Sequence, residues 1–176
     1  REDLVALCRR AADRLGLAGL HFETGDVRER QPQPLDLMIA LHACDTATDH
    51  AIHLGIRSGA ALIVCSPCCH KQLRPQLESP SVLAPMLRHG IHLGQQAEML
   101  TDSLRALLLQ AHGYDTQVFE FVSLEHTSKN KMILAVRRAT PLPAEPVWAQ
   151  IRALEDFYAV REHCLQTLLA GSAAPG

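Results

Sequence analysis

The stretch Leu35-Asp36-Leu37-Met38-Ile39-Ala40-Leu41, running into His42-Ala43-Cys44-Asp45, decides how this chain reads. Only Asp36 interrupts the apolar run, and a strand exposed on one face would alternate instead; the run therefore predicts a strand buried on both faces of a parallel sheet. Ala60 to Cys65 repeats the pattern and ends at Ser66-Pro67-Cys68-Cys69-His70. Between them, Thr46 to Ile56 has helical spacing and Gly59 stops it. Strand, helix and strand in that order form a βαβ unit, which makes the fold class α/β. Both polar clusters then stand at carboxyl ends of strands, where open α/β sheets bind ligands.

Working outward, Glu2 to Leu15 places Leu4, Val5, Leu7, Cys8, Ala11, Ala12 and Leu15 on one helical stripe, and Gly16 ends it. Leu20 to Thr24 predicts a short strand, closed by Gly25-Asp26, and Pro32 and Pro34 mark a loop. Downstream, the proline-punctuated stretch from Pro75 to Pro85 leads to a helix over Leu93 to His112, stopped by Gly113. Thr116 to Leu124 and Lys131 to Arg138 predict an antiparallel pair around a polar bend from Glu125 to Asn130. After Pro141, Pro143 and Pro146, Val147 to Leu169 has the spacing of one continuous helix. Residues 1–140 thus form the α/β part and residues 141–176 a helical extension of the same domain.

The 176 residues are 47% hydrophobic and 20% charged, as in a folded globular domain, and the net charge of −2 supplies no strong positive field toward nucleic acid. No apolar run reaches the roughly 18 residues a membrane span needs, and Arg1-Glu2-Asp3 is unlike a signal peptide, so the expected setting is the cytoplasm. Four of the six cysteines lie between positions 44 and 69, two of them adjacent, a spacing that suits free thiols better than a disulfide framework.

Three loops carry the candidate chemistry. Asp26 follows a predicted strand, where its carboxylate suits an exocyclic amine and the Val27 amide a ring nitrogen; Asp after Gly is also ordinary turn chemistry. In the second loop, His42, Cys44 and Asp45 cluster ahead of a helix that Asp45 or Thr46 equally well caps. The third, Cys65 to His70, has C-x-x-C spacing beside a histidine. With His42 and Cys44 it makes up a set of zinc ligands, but a second C-x-x-C pair is missing and we assign no metal. Small thiols packed beside a cofactor, or Cys68, ahead of Cys44, as a nucleophile with His70 and Lys71 nearby, are the other readings. His50 and His53 lie on the helix as surface or boundary residues. Lys129, Asn130 and Lys131 occupy the last bend, as a solvated hairpin or as substrate contacts.

Leu41-His42-Ala43-Cys44-Asp45-Thr46-Ala47-Thr48-Asp49, with Val64-Cys65-Ser66-Pro67-Cys68-Cys69-His70 after the next strand, resembles a branch of class I S-adenosylmethionine-dependent methyltransferases that includes tRNA 2′-O-methyltransferases. Glu125-His126-Thr127 with Lys129-Asn130 adds to the likeness, which spans Leu4 to Arg138. Cys44-Asp45-Thr46 stands where those tRNA enzymes carry Cys-Gly. The resemblance implies a Rossmann-like sheet, mostly parallel with an antiparallel final pair, of which this chain holds strands three to seven. The glycine-rich turn and the ribose-binding carboxylate of the family do not occur in it. It further implies S-adenosylmethionine as cofactor, held by Asp26, Val27, Leu41 and His42, and RNA as partner. Asp45, Cys68 and His70 take the catalytic positions, and Cys44, Thr46, Pro67, Lys71, Lys129 and Asn130 border the acceptor. Asp45 or His70 is expected to take the acceptor's proton. A zinc- or RNA-binding module without activity, and a methyltransferase acting on protein or a small molecule, are the rival readings.

Overall fold

A computed structural model describes residues 2–78, 80–122 and 130–171. The chain divides into two compact units, residues 1–30 and 31–176.

In the first unit, helix α1 (Glu2–Arg14) has acidic residues in its first turn and Arg14 in its last, which suits the helix dipole. Leu20 to Thr24 is not a strand. A strand requires a partner for its free N–H and C=O groups, and no strand among the described residues pairs with this segment. Asp26 instead caps a single 3-10 turn (Val27–Glu29), its carboxylate accepting from the Arg28 amide at 2.9 Å.

The second unit holds β1 (Leu37–Leu41), α2 (Thr46–Arg57), β2 (Leu62–Ser66), a short α3 (Ala84–Leu87), α4 (Gly90–Ala111), β3 (Tyr114–Glu120), β4 (Lys131–Arg137), α5 (Glu145–Tyr158) and α6 (Cys164–Gly171). The sheet order is β1-β2-β4-β3. The β1–β2 ladder is parallel, pairing Leu37 with Leu62 and Leu41 with Ser66, while β4 runs antiparallel to both β2 and β3. The parallel crossover and the final antiparallel pair therefore stand as the sequence predicts. Because β4 runs backwards, its first residue, Lys131, and the last residue of β3, Glu120, reach the sheet edge where β1 and β2 end.

One face of the sheet builds the core. Ile63, Cys65, Ile133 and Ala135 are buried with Ile52 of α2 and Leu104 and Leu108 of α4, and each fully buried Leu or Ile contributes about 1.5–3 kcal/mol. Gly55 lets α2 approach: a Cβ there would lie 3.0 Å from Ile63 Cδ1 and 3.2 Å from Met38 Cβ. The expectation that the first strand is buried on both faces is not met, since Leu37, Ile39 and Leu41 are exposed. β1 is an edge strand whose other side chains alone face the core. The predicted helix over Val147 to Leu169 is also two helices. Ala159 adopts a left-handed φ of 54°, and the Val160 amide donates back to the Glu155 carbonyl at 2.9 Å, which closes α5. Glycine is the usual signal for that ending, and alanine gives none.

Candidate functional site

The two loops at the strand ends meet. Leu41 pairs with Ser66, and the His42 amide extends the ladder by donating to the Ser66 carbonyl at 3.1 Å. His42 and Asp45 both have positive φ, 53° and 54°, so the loop between them turns through conformations that side chains disfavour. Contacts on both sides hold it. Asp45 Oδ1 accepts the Lys71 amide at 2.8 Å and the Gln72 amide at 3.1 Å. The Thr48 hydroxyl donates to the Ala43 carbonyl. Asp45 makes no side-chain bond to the start of α2, so its carboxylate ties the second loop to the first rather than capping the helix.

Beneath these loops lies a buried ionic cluster. Arg105 of α4 donates through Nε and Nη2 to the two oxygens of Asp49 at 2.9 and 2.8 Å, and Nη2 also reaches the Asp45 carbonyl at 2.9 Å. Its Nη1 lies 3.3 Å from Asp102 Oδ1, an oxygen it shares with His70 Nε2 at 3.0 Å. Burial opposes the Arg105 charge, yet the bonds and charge of Asp49, and then of Asp102, outweigh it and hold the guanidinium above its ordinary range. The bidentate fork satisfies Asp49, which is what a buried pair requires. Asp102 orients His70, whose side chain is 5% exposed.

His70 also lines a cleft of about 580 Å³ with Cys69, Lys71 and Arg74 from the second loop, Gln95 and Glu98 from α4, and Glu120, Asn130 and Lys131 from the antiparallel pair. Lys131 pairs with Glu98 at 2.9 Å. Asn130 is fully buried; its Nδ2 donates to the Val122 carbonyl at 2.7 Å, and its Oδ1 has no partner among the described residues.

Of the residues picked out in the sequence, Cys69, His70, Lys71, Asn130 and Lys131 line this cleft. Asp45, Cys44 and Cys68 lie at the loop junction, where the Cys44 and Cys68 sulfurs are 3.3 Å apart. Thr46 opens α2, Pro67 is buried, and Leu41 and His42 are exposed at the end of β1. Asp26 and Val27 belong to the first unit, and Lys129 lies outside the described residues. All six cysteines are free thiols. Burial, and then the Cys44 and Cys69 thiols, push the Cys68 thiol up to about 12, which disfavours the thiolate a nucleophile requires. Asp102 and Arg105 were not singled out. Their signal was present, because an Asp and an Arg three residues apart sit in the same stripe as Leu104, Leu108 and Leu109.

These loops fall within the part of the chain that resembles known proteins. A methyltransferase-domain family model matches residues 1–76. The match takes in β1, α2, β2 and the loop to Gln76, and supports a methyltransferase family. The chain is also 29% identical over 154 residues to a mouse protein named glutathione S-transferase C-terminal domain-containing protein, covering 73% of this chain and 24% of that one. The human and cattle proteins of the same name are each 27% identical over the same span. The chain thus spans about a quarter of the length of these relatives. No solved structure matches it. Among the described residues no helix is long and apolar enough to cross a membrane.

Proposed function

We propose that this domain transfers a methyl group from S-adenosylmethionine to RNA, with the cleft beside His70 as the acceptor site. The observation that carries the reading is the His70–Asp102 pair, which stands beside that cleft at the carboxyl ends of the parallel strands, with His70 in a loop that the methyltransferase match includes. When bound, S-adenosylmethionine supplies an already activated methyl group, so the protein's task is to position the acceptor, manage its proton and exclude water.

The residues at the strand end fit such a group. Leu41 offers exposed apolar surface and His42 a polar ring beside it. On the acceptor side His70 is the base. An ionised Asp102 accepts a hydrogen bond, which places the proton of a neutral imidazole on Nε2 and leaves Nδ1 basic. Asp45 is the poorer candidate, because its Oδ1 already accepts two backbone amides. Cys68 borders the acceptor without adding to it. Lys71, Arg74 and Lys131 suit backbone phosphates.

The test is transfer of tritiated methyl groups by the intact protein to total RNA and, separately, to protein. Label that nuclease removes and that His70→Ala abolishes is the expected result. Label confined to protein, or undiminished in His70→Ala, would overturn the reading.

A further inference from the structure

We infer that Cys44, Cys68 and Cys69 form a binding site for a thiophilic metal ion, zinc, that clips the loop after β1 to the loop after β2. The three sulfurs lie within 4.8 Å of one another, and this is the one group of at least three potential ligands with that property among the described residues. The Cys44–Cys68 separation is 3.3 Å and the Cys68–Cys69 separation 3.7 Å. Zinc–sulfur bonds of about 2.3 Å at tetrahedral angles put neighbouring sulfurs about 3.8 Å apart, so the Cys44–Cys68 and Cys68–Cys69 spacings need change by no more than about half an ångström.

Packing does not account for this cluster. Cys44 is exposed and Cys68 and Cys69 are half-buried, whereas a thiol held for its bulk is interior, as Cys65 is. The loops are pinned independently of the sulfurs by the Asp45 bonds to Lys71 and Gln72, so the ligands are arranged before any ion arrives. Three thiolates from the protein leave a fourth position on the exposed Cys44 side for water or another ligand. On binding, each thiol exchanges its proton for a sulfur–zinc bond, and the protons pass to solvent without any redox change. His70 is not needed as a ligand and stays with Asp102.

The protein is reduced, freed of metal and titrated with cobalt(II), read by its thiolate charge-transfer absorption, and then with zinc against a chromophoric chelator. One ion per chain is expected, and Cys44→Ser and Cys68→Ser should each lose more than about 100-fold in affinity, beyond what loss of an outer-shell contact costs. Cys8→Ser on α1 should bind as the parent does. Alkylation of the unaltered protein, mapped by mass spectrometry, supplies a readout independent of variant folding: zinc should protect Cys44, Cys68 and Cys69 and leave Cys8 reactive. Absence of stoichiometric binding, equal affinity in the serine variants, or unprotected cluster cysteines would overturn the inference. None of these readouts depends on methyl transfer, so this site and the proposed activity fail separately.

Discussion

Replacing Arg105 by Met is the most informative single change in the fold. The substitution roughly preserves the length and apolar stem of the side chain but removes the guanidinium, and with it both bonds to Asp49, at 2.9 and 2.8 Å, and the bond to the Asp45 carbonyl at 2.9 Å. Asp49 and Asp102 are 1% and 2% exposed, so Asp49 loses the partner of both its oxygens and Asp102 keeps only His70. Breaking a buried pair from one side costs about 3–5 kcal/mol, a large part of the ~5–15 kcal/mol that holds a typical domain. With a urea dependence of about 2 kcal/mol per molar, the unfolding midpoint should fall by about 2 M with an unchanged slope. Arg105→Lys should recover little, because an ammonium cannot bridge Asp49, Asp102 and the Asp45 carbonyl as the planar fork does. In an Asp49→Asn background, Arg105→Met should cost less by about 1–3 kcal/mol. A loss below about 1 kcal/mol, or the same loss with and without Asp49, would refute the account of this cluster.

His163 is 2% exposed, neither of its ring nitrogens has a hydrogen-bond partner among the described residues, and burial pushes the imidazole from 6.5 down to about 4. The unfolded chain binds this proton at higher pH than the fold does, so stability should fall by about 3 kcal/mol as pH drops between those values. His163→Leu should flatten that part of the profile; an equally steep profile in the variant would refute the assignment. Gly55→Ala gains about 1 kcal/mol of helix propensity but presses on Ile63 and the Met38 Cβ, so a net destabilisation of about 1 kcal/mol is expected by thermal unfolding. A rise in melting temperature would show that α2 has room to shift. If Cys68 only borders the acceptor, as its protonated thiol suggests, Cys68→Ala should retain methyl transfer and no adduct should form on 5-fluoropyrimidine RNA. A covalent complex that Cys68→Ala abolishes would reverse that.

The parts of this fold that the sequence makes plain are those set by local pattern. The two apolar runs, the helix between them and the amphipathic spacing of α4 all depend on neighbours within a few residues, and the structure places them within one to three positions of where they read. The misreadings are all non-local. Leu20 to Thr24 has strand-like residues but no partner strand, and Leu37, Ile39 and Leu41 are apolar without being covered. The break at Ala159 is decided by packing and by a left-handed residue that carries no glycine to announce it. In the site, the strand-end rule brings His42, Cys44, Asp45, Cys68 and His70 to one edge from spacing alone. What orients His70 is hidden, because Asp102 and Arg105 lie 32 and 35 residues away and read as interruptions of an apolar stripe until α4 is laid against the loop.

The central claim is that His70, oriented by Asp102, takes the acceptor's proton during methyl transfer to RNA. The measurement that tests it most directly is the pH dependence of tritiated-methyl incorporation into RNA by the intact protein, compared with His70→Ala and Asp102→Asn at saturating S-adenosylmethionine. The account predicts no transfer by His70→Ala despite retained fold, and in Asp102→Asn a reduced rate with an altered pH profile while RNA affinity is kept. Unchanged turnover in folded His70→Ala, or loss of RNA binding alone with the chemical step intact, would contradict it.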